Sequence, residues 1–332
     1  MGKWIKYLVI TFVLLFLMDK ILGSILFQLK SNTYVGQSGG KINDFTENFQ
    51  YANILAVGDS RCAHHVDPTI LGKKSYNLSH NGMSLIFHTG LIDELLSANK
   101  NIKIDTLILN VSLKELTYPT KNHFNDIQFL KFYHGKNKWI TKHINQIKEY
   151  EKYKFIFSTY SYNGDFSTTL LNSLFKKKSS NFLNGFTPNP ESPRDSINVA
   201  WQLKRTNNKL VTDNFYVSKI NQNYLLHISE ICNKKGIKFI CFASPTYSQE
   251  SIPNKFKQSL GSFFKSNDII FLDYSNAFYK HKELQNIWLW KDVFHLNRKG
   301  AKVFSNILRK DLNSTDSYLG QRLEAFGGQK SN

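Results

Sequence analysis

A hydrophobic run, Ile54 to Val57, stops at Gly58 and is followed at once by Asp59, Ser60 and Arg61. Far downstream, in the stretch WKDVFHLNRKGA (residues 290–301), Asp292 and His295 stand three positions apart. A serine hydroxyl is a poor nucleophile at neutral pH. It needs a neighbouring base, and the base needs a group that orients it. On one turn or loop, the Asp292 carboxylate can hold one imidazole nitrogen of His295 and leave the other free to take the Ser60 proton. Those three residue types together would attack a carbonyl carbon and carry the acyl group on Ser60.

Such a triad needs a scaffold that presents the serine at a strand end. The apolar pattern supplies one. Ile54–Val57, Ser75–Leu78, Thr106–Val111, Lys238–Ala243 and Ile269–Asp273 read as short strands. TLILNV and KFICFA are continuous apolar runs, the kind that parallel sheets bury on both faces. Leu85–Ala98, Tyr224–Lys235 and Arg298–Leu312 read as helices between and after them. Strands alternating with helices predict an α/β fold, a three-layer sandwich around a mainly parallel central sheet of flavodoxin-like type. Ligand sites in open sheets of this kind lie outside the carboxyl ends of the strands, where Ser60 would sit.

The amino terminus has a different character. Tyr7 to Met18 is unbroken apolar sequence, Asp19 and Lys20 interrupt it, and Ile21 to Phe27 resume it. Together these give about the 20 residues a helix needs to cross a bilayer. Lys3 and Lys6 precede the run, which keeps the amino terminus in the cytoplasm and the rest of the chain outside. Residues 1–28 are therefore expected to be an uncleaved transmembrane signal-anchor, with a cleaved signal peptide as the rival reading. The Asp19/Lys20 pair is costly in lipid unless it meets an interface or a partner helix, which hints at a membrane partner. Residues 29–50 are polar and Gly/Ser/Asn-rich and read as a linker. The α/β domain is expected over 51–315, with an insertion at about 118–220 where the βα rhythm fails, and a polar tail over 316–332.

Composition narrows the function. The chain has 332 residues with 41% hydrophobic residues, enough for a sizeable core. Lys+Arg exceed Asp+Glu by 43 to 25, a formal charge of +18. No recognition-helix pattern, zinc spacing or single-strand reader signature accompanies that charge, so nucleic acid is not an expected partner. An anionic polymer would suit it. The three cysteines form no metal pattern, no His/Asp/Glu cluster has metal spacing, and no P-loop or dinucleotide glycine fingerprint occurs. Neither a metal nor a cofactor is expected.

These residues resemble the SGNH/GDSL hydrolase superfamily. Gly58-Asp59-Ser60 looks like its first block, and Asp292-x-x-His295, followed by Leu296-Asn297-x-x-Gly300-Ala301, looks like its last. The resemblance covers roughly residues 51–117 and 224–312. It implies an oxyanion hole from the Ser60 N–H, the backbone N–H of Gly82 in YNLSHNGMS and the side chain of Asn110 in TLILNVS. The third block departs from the family pattern: the usual glycine before Asn110 and aspartate after it are missing, with Ser112 a possible stand-in. Arg61 replaces the commoner leucine. Arg61, His64 and Asn297 are candidates to line the substrate cleft; His64 and His65 follow Ser60 by one helical turn. The resemblance to anchored members implies a membrane-bound, outward-facing esterase or O-acyltransferase acting on O-acetyl or similar groups of a cell-surface or exported glycan. It also implies a multi-span membrane O-acyltransferase as a possible partner. The alternative is an inactive accessory or glycan-binding subunit that keeps the fold.

Overall fold

Five strands form one all-parallel sheet in the order β2-β1-β3-β4-β5. The computed structural model describes residues 2–34, 39–98, 101–117, 124–164, 166–174, 183–205, 216–247, 253–275 and 281–327. In chain order the elements used below are α1 (Gly2–Ser31), α2 (Lys41–Asn48), β1 (Tyr51–Val57), α3 (Ser60–His65), α4 (Pro68–Leu71), β2 (Ser75–Asn77), α5 (Leu85–Asp93) and β3 (Lys103–Asn110). There follow α6 (Leu113–Thr117), α7 (Lys138–Ile147), α8 (Phe166–Leu174), α9 (Asp195–Arg205), α10 (Lys219–Lys235), β4 (Lys238–Ala243), α11 (Asn254–Ser266), β5 (Ile270–Asp273) and α12 (Arg298–Gly327).

The strands alternate at period two between two cores. Leu55, Val57, Leu107, Leu109, Phe239 and Cys241 face one layer, built from α5, α10 and α11. Ala56, Ile108, Ile240 and Phe242 face the other, built from α3, α4 and α12 with Trp290, Val293 and Leu296. Both faces are covered, which is why the strands read as nearly continuous apolar runs. The chain leaves β1 to one side for β2 and to the other for β3, so the order reverses between β1 and β3. The carboxyl ends of those two strands flank the crevice where doubly wound sheets bind ligands.

Three features differ from the sequence reading. Within the stretch read as linker, residues 41–48 form α2, with Ile42 and Phe45 buried in the core. Two apolar residues three apart were enough to dock a helix inside an otherwise polar segment; residues 35–38 lie outside the described residues. At the carboxyl end the last helix continues to Gly327, beyond the tail boundary at 316. The third difference concerns Asp19 and Lys20. They find their partners within the chain: Asp19 accepts from the N–H groups of Ser158 and Thr159, and Lys20 donates to Ser158 Oγ. The region read as an insertion carries these residues, together with α7, α8 and α9.

Candidate active site

Gly58 joins β1 to α3 at φ +154, and a Cβ there would lie 2.6 Å from the Cβ of Asn110. Only glycine lets the ends of β1 and β3 come that close. Asp59 follows as the N-cap of α3, its carboxylate accepting from Arg61 N–H at 2.9 Å. Ser60 thus occupies the first helical position, half-buried, with its N–H in the turn whose amides have no intrahelical acceptor.

The second half of the site is a turn fixed by its own aspartate. Asp292 Oδ1 accepts from the N–H groups of Phe294 and His295, both at 2.8 Å. The His295 carbonyl accepts from Lys291 N–H at 2.8 Å, and Trp290 bridges Leu296. The same carboxylate meets His295 Nδ1 at 3.0 Å through Oδ2. His295 Nε2 then lies 2.8 Å from Ser60 Oγ, across 235 positions of sequence. Burial alone would raise the Asp292 carboxyl, but the hydrogen bonds from His295 and from the backbone N–H groups outweigh it and hold it below the usual aspartate range. An ionised Asp292 fixes the proton on Nδ1 and leaves Nε2 as the acceptor for the serine hydroxyl.

Two further supports for this geometry come from His65 and from the insertion. His65, fully buried, accepts the Leu296 N–H at Nε2 (3.0 Å) and so ties α3 to the His295 turn. Burial pushes His65 well below the usual histidine range, so it stays neutral and keeps that acceptor. The insertion supplies the other support. Thr187 N–H donates to the Ala63 carbonyl, and Asn189 Nδ2 donates to the Leu296 carbonyl at 3.0 Å. The stretch NGFTPNPESPRDS therefore packs between α3 and the histidine turn.

The remaining candidates fall in different places. Asn110 is buried and clamped at both ends of its amide: Oδ1 accepts from Ser244 N–H at 3.1 Å and Nδ2 donates to Asp59 Oδ1 at 2.8 Å. It lies against Gly58 and Asp59 with one amide hydrogen committed to Asp59. Gly82 is exposed at φ +72, in a loop pinned two residues earlier by His80 N–H to the Gly58 carbonyl at 2.9 Å. His64 is half-buried, its Nδ1 2.5 Å from the Thr187 carbonyl and its ring edge-on to His295 at 5.7 Å. Arg61 turns back to pair with Asp59 at 3.3 Å. Asn297 does not line a cleft. It is buried, donates to the Trp288 carbonyl at 2.7 Å and accepts Gly300 N–H at 3.1 Å, capping α12. An asparagine just before a helix is an N-cap first, a signal already present in Leu296-Asn297-Arg298.

No family model and no curated protein matches the chain. Among solved structures it is similar to a proposed acylhydrolase from Bacteroides fragilis, with 11% identity and a TM-score of 0.35, over 81% of this chain and 89% of that one. A likeness of that degree decides nothing about activity.

Proposed function

We propose that this protein is a membrane-anchored serine esterase or O-acyltransferase that works through an acyl-enzyme on Ser60. The observation that carries the reading is the 2.8 Å contact of Ser60 Oγ with His295 Nε2, backed by Asp292 at 3.0 Å on the other ring nitrogen. In the first half-reaction, Oγ bonds to the acyl carbon while its proton passes to Nε2. The carbon–oxygen bond to the leaving alcohol then breaks, and that oxygen takes the proton back from His295. In the second half-reaction, water or a sugar hydroxyl gives its proton to Nε2 and bonds to the same carbon. The Ser60 Oγ–carbon bond breaks and Oγ recovers the proton. Asp292 stays ionised throughout and stabilises the imidazolium formed at each step. Negative charge on the carbonyl oxygen would fall near the Ser60 N–H, with Gly82 N–H and the Asn110 amide as further proposed donors.

The substrate proposed is an acyl group, such as O-acetyl, on a cell-surface or exported glycan, and the resemblance to anchored SGNH/GDSL proteins supports it. α1 is long and apolar enough to cross a membrane, and Lys3 and Lys6 favour a cytoplasmic amino terminus. A multi-span membrane O-acyltransferase would be the source of acyl groups.

The test uses the full chain in detergent, as wild type and Ser60→Ala. Wild type should release acetate from small chromogenic esters and take up a fluorophosphonate probe, and the variant should do neither. Equal rates and equal labelling would remove the proposal and leave the inactive accessory subunit as the better reading.

A further inference from the structure

The charged pair that interrupts α1 is held by the chain's own insertion. Asp19 accepts from Ser158 N–H at 2.6 Å and Thr159 N–H at 3.1 Å, and also from the Thr159 hydroxyl. Lys20 donates to the Ile156 carbonyl and to Ser158 Oγ. Helix and segment touch closely, since a Cβ on Gly23 would lie 2.4 Å from that of Ser158. Phe16 meets Phe157 edge-on at 6.4 Å, Phe27 stacks on Phe132 at 5.3 Å, and Asn43 donates to the Lys30 and Thr33 carbonyls. From Phe16 to Thr33 the anchor is fixed to the domain.

That docking has a consequence in length. A helix rises about 1.5 Å per residue and a hydrocarbon core is about 30 Å thick, so a span starting at Tyr7 needs about 20 residues and ends near residue 26. Asp19 then lies about 18 Å along it. The docked part of α1 overlaps the outer part of its own membrane span, and whatever touches it there lies at membrane depth.

We propose that residues 150–164 and 166–171 form a collar around α1, embedded in the leaflet where the helix leaves the membrane, with bilayer lipid as its partner. This rests on α1 crossing the bilayer and is independent of the chemistry at Ser60. The surface has the composition such a place requires. Ile156, Phe157, Phe166, Leu170 and Leu171 are exposed apolar residues continuous with the exposed apolar face of α1. Tyr150 and Tyr153 are exposed beside them, with Lys154 over the Tyr150 ring at 4.9 Å and Lys152 over Tyr153 at 5.0 Å. Tyrosine and lysine so placed suit the headgroup level, where ring and stem are half in lipid. A cavity of about 690 Å³ opens among Tyr150, Tyr153, Phe157, Tyr160, Tyr162 and Phe166, a place for part of an acyl chain. The charged pair at depth, Asp19 and Lys20, is bonded to Ser158, Thr159 and the Ile156 carbonyl, the condition under which charged side chains are tolerated there.

Nitroxide labels on the full chain in lipid nanodiscs test this. The three native cysteines are buried, so single labels at Ile156→Cys, Leu171→Cys, Leu14→Cys and Lys302→Cys report their own sites. The collar positions and Leu14 should relax more with oxygen than with a water-soluble nickel chelate, and Lys302 should show the reverse. Collar labels as open to nickel as Lys302, with Leu14 in lipid, would overturn the collar and leave the anchor standing. Leu14 open to nickel would overturn the span and the collar together. Neither outcome bears on labelling of Ser60 by fluorophosphonate.

Discussion

Among the described residues, two carboxylate–imidazole pairs have similar geometry and very different surroundings. Asp292 and His295 approach to 3.0 Å at the carboxyl end of the sheet; Asp93 and His227 approach to 2.7 Å between α5 and α10. In the first pair the far nitrogen of the imidazole meets Ser60. In the second, among the described residues, His227 has Asp93 as its one hydrogen-bond partner, and its ring lies nearly flat along Trp139 at 5.4 Å and 16°. Asp93 is in turn held by Asn137 Nδ2 at 2.8 Å. The lesson is positional. An acid–base pair in the helical layer ties helices together. The same pair at the switch point of a parallel sheet faces a serine that a strand end has delivered, the contact on which the proposed proton transfer rests.

The sharpest break between the two pairs is at the nucleophile. Ser60→Ala should lower acyl transfer by roughly four to six orders of magnitude with the fold intact, measured as acetate release alongside circular dichroism. Asp292→Asn should come next. The asparagine would still close the turn by accepting the Phe294 and His295 N–H groups, but it would favour the wrong imidazole tautomer. A fall in kcat of about 10⁴ with little change in KM is expected; a fall of less than tenfold would mean that Asp292 only shapes the turn. At the other pair the outcome should invert. Asp93→Asn should leave turnover within a factor of two and cost about 1–3 kcal/mol of stability, read from urea unfolding. Loss of activity without loss of stability would make the two pairs functionally alike.

The two pairs also differ in how far sequence reveals them. Asp292 and His295 are three apart, so one turn joins them, and the βα order then places that turn over the end of β1. The central strands were legible because both faces of the sheet are covered there and the runs 54–57, 107–109 and 239–243 are apolar. Asp93 and His227 are 134 positions apart on separate helices, and nothing local marks either as a partner of the other. The same limit hid the docking of Asp19 on Ser158 and Thr159, 139 and 140 positions away. Asn110 shows the limit within the site. A strand-final asparagine was visible, but its amide hydrogen bond to Asp59 Oδ1 depends on how closely β1 and β3 approach at Gly58. α11 was missed because its apolar residues Phe256, Leu260 and Phe264 sit in a Lys- and Ser-rich stretch that reads as surface.

A further carboxyl near the same strand ends is shifted the opposite way from Asp292, and it sharpens the contrast in the smallest measurable way. Glu115 on α6 accepts Leu85 N–H at 2.7 Å. Burial, reinforced by the charges of Asp59 and Asp126, pushes its carboxyl up to about 7, whereas the hydrogen bonds at Asp292 pull that carboxyl down. A folded-state value above the unfolded one means that the folded chain binds this proton more tightly. The stabilisation is fully present below about pH 4.5 and is lost as pH rises through about 7. Glu115→Gln keeps the acceptor for Leu85 and cannot ionise. The stability difference, variant minus wild type, should therefore rise by on the order of 2 kcal/mol between pH 4.5 and 8, measured by urea unfolding across that range. Taking the difference cancels the titrating groups that the two chains share. A flat difference would mean that Glu115 is ionised in the fold at neutral pH, and that burial does not decide the charge of this carboxyl.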